Sequence, residues 1–292
     1  MYDDIELVTA IITPFTTDKA IDYPALDRLT DRLLATGTQA FVVGGTTGEA
    51  PTLSDAEKIA LYTHFATYVA KRGLVIANVG DNDTRHSMVL AKAVSQISGV
   101  DALLAVTPYY NKPSQAGMIA HFEAIADASA VPLMLYNIPG RSAVGLTNES
   151  ILTLAKHSNI NAVKQVTTLD DIAFLVAQTP DDFYIYTGED AQTLGARVVG
   201  ANGTISVASH LYGLEMRQLF QALDNGDIEK AGALQRLLMP KMNALFAWPS
   251  PAPVKAILGL RGDIINQTRL PILPMNADET QQLVTLLGET HD

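Results

Sequence analysis

Eight short runs of β-branched and small apolar residues, at positions 7–12, 40–43, 74–77, 102–106, 132–136, 161–164, 183–187 and 203–207, alternate with longer stretches of helical period. This order constrains the fold more than any other feature of the chain. The runs carry apolar residues on both faces, as strands of a parallel sheet covered on both sides must. Parallel neighbours need crossovers of a dozen or more residues, and the stretches 23–36, 54–71, 84–98, 114–129, 147–157, 168–178 and 192–199 supply them. Eight such units in a row favour closure over an open doubly wound sheet, so the sequence predicts an α/β fold, a (β/α)8 barrel. Beyond His210 the pattern turns wholly helical, through 211–223, 227–246, 252–260 and 277–288, broken by Asp224-Asn225-Gly226 and by Pro249, Pro251 and Pro253. The expected organisation is therefore a barrel over residues 1–224 with an appended helical layer over 225–292.

Composition narrows the chemistry. Hydrophobic residues make up 48% of the 292 and charged ones 17%, too apolar for a disordered chain, and no apolar run approaches the length of a membrane span. The acidic start Met1-Tyr2-Asp3-Asp4 fits neither a secretory signal nor a transit peptide, so cytoplasmic residence is expected. Without cysteine there is no thiolate metal site, iron–sulfur cluster or cysteine nucleophile. A net charge of −11 with no Lys/Arg cluster argues against nucleic-acid binding, and the six scattered histidines offer no metal-binding pair on one helix face. Neither a phosphate-binding loop nor a dinucleotide fingerprint is present, so no nucleotide cofactor is indicated.

In barrels of this kind the active site gathers at the C-terminal ends of the strands. Four groups of polar residues meet that condition. Lys164 closes the run 161–164, and a lysine there is costly to bury unless its amine is used: an ordinary lysine, with a pKa of about 10.4, offers about one neutral amine in 2,500 at pH 7. Read alone, it serves equally as a strand cap or an ion-pair partner. Gly44-Gly45-Thr46-Thr47-Gly48-Glu49 follows the second run, with backbone N–H groups open to an anion or simply a tight turn. Thr107-Pro108-Tyr109-Tyr110-Asn111-Lys112-Pro113 follows the fourth, where paired tyrosines also suit packing or an interface. Tyr136-Asn137-Ile138-Pro139-Gly140-Arg141 follows the fifth and sets a phenol beside a guanidinium able to clamp a carboxylate. Together the four describe Schiff-base chemistry.

These motifs, with Thr13-Pro14-Phe15, Gly188-Glu189-Asp190, Gly203-Thr204-Ile205-Ser206 and Pro253-Val254-Lys255, resemble the dihydrodipicolinate synthase family over essentially the whole chain. That family lies within the pyruvate-dependent class I aldolases, which include N-acetylneuraminate lyase. The resemblance implies a lyase of lysine and diaminopimelate biosynthesis that condenses pyruvate with L-aspartate-4-semialdehyde to 4-hydroxy-tetrahydrodipicolinate, with no metal or organic cofactor. It implies Lys164 as the Schiff-base lysine, Tyr136 as proton carrier, and Thr46 as the link to Tyr110, which reaches in from a neighbouring subunit of a homotetramer. Thr47 and Ile205 would hold pyruvate through backbone groups, Arg141 would bind the carboxylate of the semialdehyde, and Gly188 would belong to the substrate-binding set. Arg141 favours the synthase over a sugar-acid lyase; an inactive binding or regulatory relative would have lost Lys164 or Tyr136, and both are present.

Two departures stand out. Gln165 follows the lysine where an acidic residue is frequent in the family. At the cleft where lysine-sensitive members bind their inhibitor, Asn82 and Tyr109 match, but Ala50, Asp55, Lys58 and His86 replace the usual residues, and a carboxylate partner for the inhibitor's ammonium is missing at His86. Weak or absent inhibition by lysine is expected.

Overall fold

A computed structural model describes residues 1–288; the last four positions of the expected helical layer lie outside the described residues. The eight strands are β1 (Leu7–Ala10), β2 (Ala40–Val43), β3 (Leu74–Asn78), β4 (Ala102–Val106), β5 (Leu133–Asn137), β6 (Ile160–Gln165), β7 (Tyr184–Thr187) and β8 (Gly203–Ser206). All neighbours pair in parallel, and β8 returns to β1 to close the barrel. The outer layer comprises α1 (Tyr23–Ala35), α2 (Asp55–Val69), α3 (Thr84–Val94), α4 (Gln115–Ala128), the single turn α5 (Pro139–Ser142), α6 (Asn148–Leu154), α7 (Leu169–Gln178), α8 (Thr193–Val198) and α9 (Ser209–Asp224). Three more helices follow, α10 (Ile228–Ala244), α11 (Ala252–Leu260) and α12 (Ala277–Leu287). No helix of the described residues is long and apolar enough to cross a membrane.

Side-chain alternation along the strands separates two cores. Val8, Ala10, Ala40, Val42, Ile76, Leu104, Met134, Ala162, Tyr186 and Ile205 fill the barrel interior, while Leu7, Phe41, Val75, Leu103, Leu135, Val163 and Ile185 face the helices. Small residues inside make room for Tyr2 and Tyr186, whose rings meet edge to face at 6.0 Å. The parity matters for the chemistry: Lys164 stands two residues beyond inward-facing Ala162, so it points into the barrel mouth. Gln165 points the opposite way, fully buried, with its Oε1 lacking a partner among the described residues.

Helix starts follow local side-chain chemistry. Ser54 accepts from the Glu57 N–H at 3.3 Å while Glu57 accepts from the Ser54 N–H at 2.9 Å, a capping box that starts α2. Ser114 caps α4 through the Gly117 N–H. Several elements end earlier than their periodicity predicts. α3 stops at Val94, ahead of the left-handed Gly99, and β1 stops at Ala10, although Ile11 and Ile12 stay buried.

Candidate active site

The two rungs at the C-terminal ends of β5 and β6 bring a phenol and an amine together. Tyr136 and Lys164 are register partners, and the Lys164 Nζ lies 4.4 Å from the centroid of the Tyr136 ring. Both are buried, Tyr136 to 4% and Lys164 to 6% exposure. Among the described residues no oxygen accepts a hydrogen bond from the Lys164 Nζ, an arrangement that leaves the amine directed at whatever enters the cavity.

Backbone shape makes room for that amine. A Cβ on Gly188 would lie 2.5 Å from the Lys164 Cε and 2.6 Å from the Val166 Cγ2, so a larger residue would displace the lysine chain. The Gly188 N–H is in turn fixed on the Gln165 carbonyl at 2.8 Å, tying the end of β7 to the end of β6. On the opposite wall the Thr46-Thr47 turn is drawn tight by the Glu49 N–H on the Thr46 carbonyl at 3.1 Å, with Gly44 at φ 62 and Glu49 at φ 58.

Arg141 sits on the one-turn helix α5. Asn137 pins the segment behind it, its Nδ2 donating to the Leu146 carbonyl at 3.1 Å and its Oδ1 accepting from the Leu146 N–H at 3.0 Å. The Ser142 hydroxyl, which accepts from Thr107 at 2.9 Å, completes the support. Arg141 itself is exposed, and no carboxylate among the described residues pairs with it.

These side chains share one cavity of about 290 Å³, lined by Thr46, Thr47, Tyr136, Arg141, Lys164 and Gly188, with Ile138, Gly140, Val166, Glu189, Val207, Phe246 and Ser250. A second cavity of about 260 Å³ shares Thr46, Tyr136, Ile138 and Arg141 and runs on to Ala50, Lys58, Asp81 and Tyr109. Two of the expected site residues lie elsewhere. Ile205 faces the barrel interior beneath the cavity, which Val207 lines instead. Tyr110, in a left-handed backbone conformation at φ 74, is 86% exposed and lines neither cavity of its own chain.

The charged lining is Arg141, Lys164 and Glu189. Burial, followed by the neighbouring Asp190, pushes the Glu189 carboxyl above its ordinary range, while Lys164 pulls it back. Asp190 is also raised by burial; its Oδ2 accepts from the Val207 and Ala208 N–H groups at 3.0 Å each, so it anchors the end of β8. Glu189, Phe246 and Ser250 had no role on sequence grounds. Phe246 and Ser250 come from the helical region after the barrel, and periodicity carries no signal for which of its residues meets the mouth.

A family model described as the dihydrodipicolinate synthetase family matches residues 5–290. A 4-hydroxy-tetrahydrodipicolinate synthase of Leuconostoc citreum is 62% identical over 290 residues, 99% of this chain and 100% of the relative. Among solved structures, a dihydrodipicolinate synthase from Bacillus anthracis superposes with a TM-score of 0.96 at 42% identity, covering 100% of both chains. A chloride-inhibited dihydrodipicolinate synthase from Acinetobacter baumannii, complexed with pyruvate, gives 0.93 at 34% identity over 98% of each. The chain belongs to the dihydrodipicolinate synthetase family.

Proposed function

We propose that this protein condenses pyruvate with L-aspartate-4-semialdehyde to 4-hydroxy-tetrahydrodipicolinate, with Lys164 as the amine that carries pyruvate. The observation that supports this reading best is the Lys164 Nζ standing 4.4 Å from the Tyr136 ring in a cavity that also holds an unpaired Arg141. The neutral Lys164 amine attacks the pyruvate carbonyl carbon, and water leaves as the iminium forms. The iminium draws electrons from the adjacent methyl, which gives up a proton to become an enamine; the enamine carbon then bonds to the aldehyde carbon, whose oxygen takes a proton. Tyr136, whose ring lies 4.4 Å from the amine, carries these protons in this reading. The amino group of the second substrate then attacks the iminium carbon and closes the ring, and the C–N bond to Lys164 breaks with a proton passing to the departing nitrogen, which frees the Lys164 amine for another turn.

Thr47 and Gly188 lie where pyruvate would rest, and Arg141 presents a fork suited to the carboxylate of the second substrate. The exposed Tyr110 fits a residue that completes the site of a second copy, with Thr46 as its link to Tyr136, within a homotetramer built as a dimer of dimers. The barrel over residues 1–224 carries the active site and residues 225–292 form an appended helical region, in a cytoplasmic enzyme. The test is a comparison of aspartate semialdehyde and pyruvate against N-acetylneuraminate. Turnover of the first pair alone supports the reading, and cleavage of the sugar acid alone overturns it. Arg141→Ala should weaken use of the semialdehyde by about 10–100-fold while sparing imine formation, since a hydrogen bond to a charged group contributes about 1.5–3 kcal/mol; equal loss of both would remove Arg141 from its role.

A further inference from the structure

Lys255 on α11 is the most completely buried charged side chain near the site, at 0% exposure, and it touches neither cavity. Its Nζ donates to the Glu49 Oε1 at 2.5 Å, the Thr13 carbonyl at 2.7 Å and the Gln267 carbonyl at 2.9 Å. The Glu49 Oε2 accepts from the Arg269 N–H at 2.8 Å, so both carboxylate oxygens are held. Glu49 in turn closes the threonine turn through its own N–H on the Thr46 carbonyl, and Thr13 reaches the same turn by donating its hydroxyl to the Gly48 carbonyl at 2.7 Å. Glu49 and Gly48 are thus fixed from behind by one ammonium, while Thr46 and Thr47 face the cavity.

We propose that Lys255 is a positioning residue for pyruvate binding: its ammonium holds Glu49 and Thr13, and through them the Thr46-Thr47 wall against which the keto acid rests. This builds on the reading that pyruvate binds at Lys164. The charge state of Lys255 then decides how well the wall is held. An ammonium has three N–H donors for three acceptors, whereas a neutral amine has two, so deprotonation leaves one oxygen without its donor and a buried carboxylate facing a lone pair. The groups facing Lys255 are Glu49, Lys19 and Arg269, with the Phe15 ring face 4.2 Å from the Nζ; Arg269 is itself engaged by Glu57. Burial brings the Lys255 ammonium down to about 8 even though Glu49 opposes the shift, which places its titration at the edge of the ordinary working range.

Pyruvate KM in the wild-type enzyme should therefore climb as pH passes about 8, by about tenfold over the next one to two pH units, with kcat at saturating pyruvate far less affected. Glu49→Gln removes the charge that keeps Lys255 protonated and should move that rise about one pH unit or more toward acid. A residue that only supported the fold would cost activity evenly across pH and leave the position of the rise unchanged. A wild-type KM flat between about pH 7 and 9.5, or a rise at the same pH in Glu49→Gln, overturns the proposal; the wild-type series stands alone should the variant fail to fold. Borohydride trapping with pyruvate, run in parallel, separates the two levels: imine that forms while KM stays flat sinks the positioning role alone, and no imine at any pH sinks the underlying reading with it.

Discussion

Lys164 and Lys255 are both buried lysines close to the mouth of one barrel, and their surroundings are opposite. Lys255 spends all three donors on oxygens and pairs with Glu49, while Lys164 has the Tyr136 ring at 4.4 Å and no oxygen partner among the described residues. An ammonium saturated in this way is built into the architecture. An amine left without acceptors at the end of an inward-facing row is available to react, and the cavity in front of it supplies the space. Burial by itself does not separate the two roles; the count of donors and acceptors does.

The contrast breaks most visibly at Lys164. Lys164→Ala should lower turnover by several orders of magnitude, of the size seen when a covalent catalyst is removed, and leave the melting temperature close to wild type, because no hydrogen bond or ion pair is lost. A melting temperature that collapses along with activity would make Lys164 structural. Lys255→Met should do the reverse to stability, costing about 3–5 kcal/mol in denaturant titrations by stranding the buried Glu49 carboxylate. A cost under about 1 kcal/mol would place this pair with weak surface bridges. Gly188→Ala sharpens the same point by geometry alone: its Cβ would meet the Lys164 Cε at 2.5 Å, and displacement of about 1 Å should slow imine formation about 10²-fold with little change in stability.

The smallest effect concerns a third cluster, where every carboxylate is already matched. The His86 Nε2 lies 2.7 Å from Asp55 and its Nδ1 3.2 Å from Asp81, with the Lys58 Nζ 3.8 Å from Asp55. The Asp55 hydrogen bond is the leading cause that raises the His86 pKa above its ordinary value, so the ring competes for both carboxylates. Free lysine therefore finds no open carboxylate for its ammonium, and initial rates should hardly change at millimolar lysine. A sharp inhibition curve below that range would show that the cleft still accepts it.

Much of this molecule was legible in its residues, for reasons particular to each part. All eight strands lie where β-branched runs placed them, and α11 spans the expected 252–260, because helix and strand periods differ and prolines mark the breaks. Lys164, Tyr136, Thr46, Thr47, Arg141 and Gly188 meet in one cavity because a barrel carries every strand end to one face. What pattern could not give was distance along the tertiary fold. Phe246 and Ser250 reach the cavity from the connection between α10 and α11, whose placement is set by three-dimensional fit, and the bond from Lys255 to Glu49 spans 206 positions of chain. The Gly188 slot was equally hidden, since the atoms a Cβ there would displace belong to Lys164 and Val166.

Reaction at one buried amine and anchoring by the other leave different covalent traces. Incubation with pyruvate and borohydride, followed by peptide mapping by mass spectrometry, distinguishes them directly. A single reduced pyruvate adduct on Lys164, with Lys255 unmodified, is the expected result; an adduct on Lys255 or on surface lysines, or none at all in active protein, would refute the assignment of Lys164 as the reacting amine.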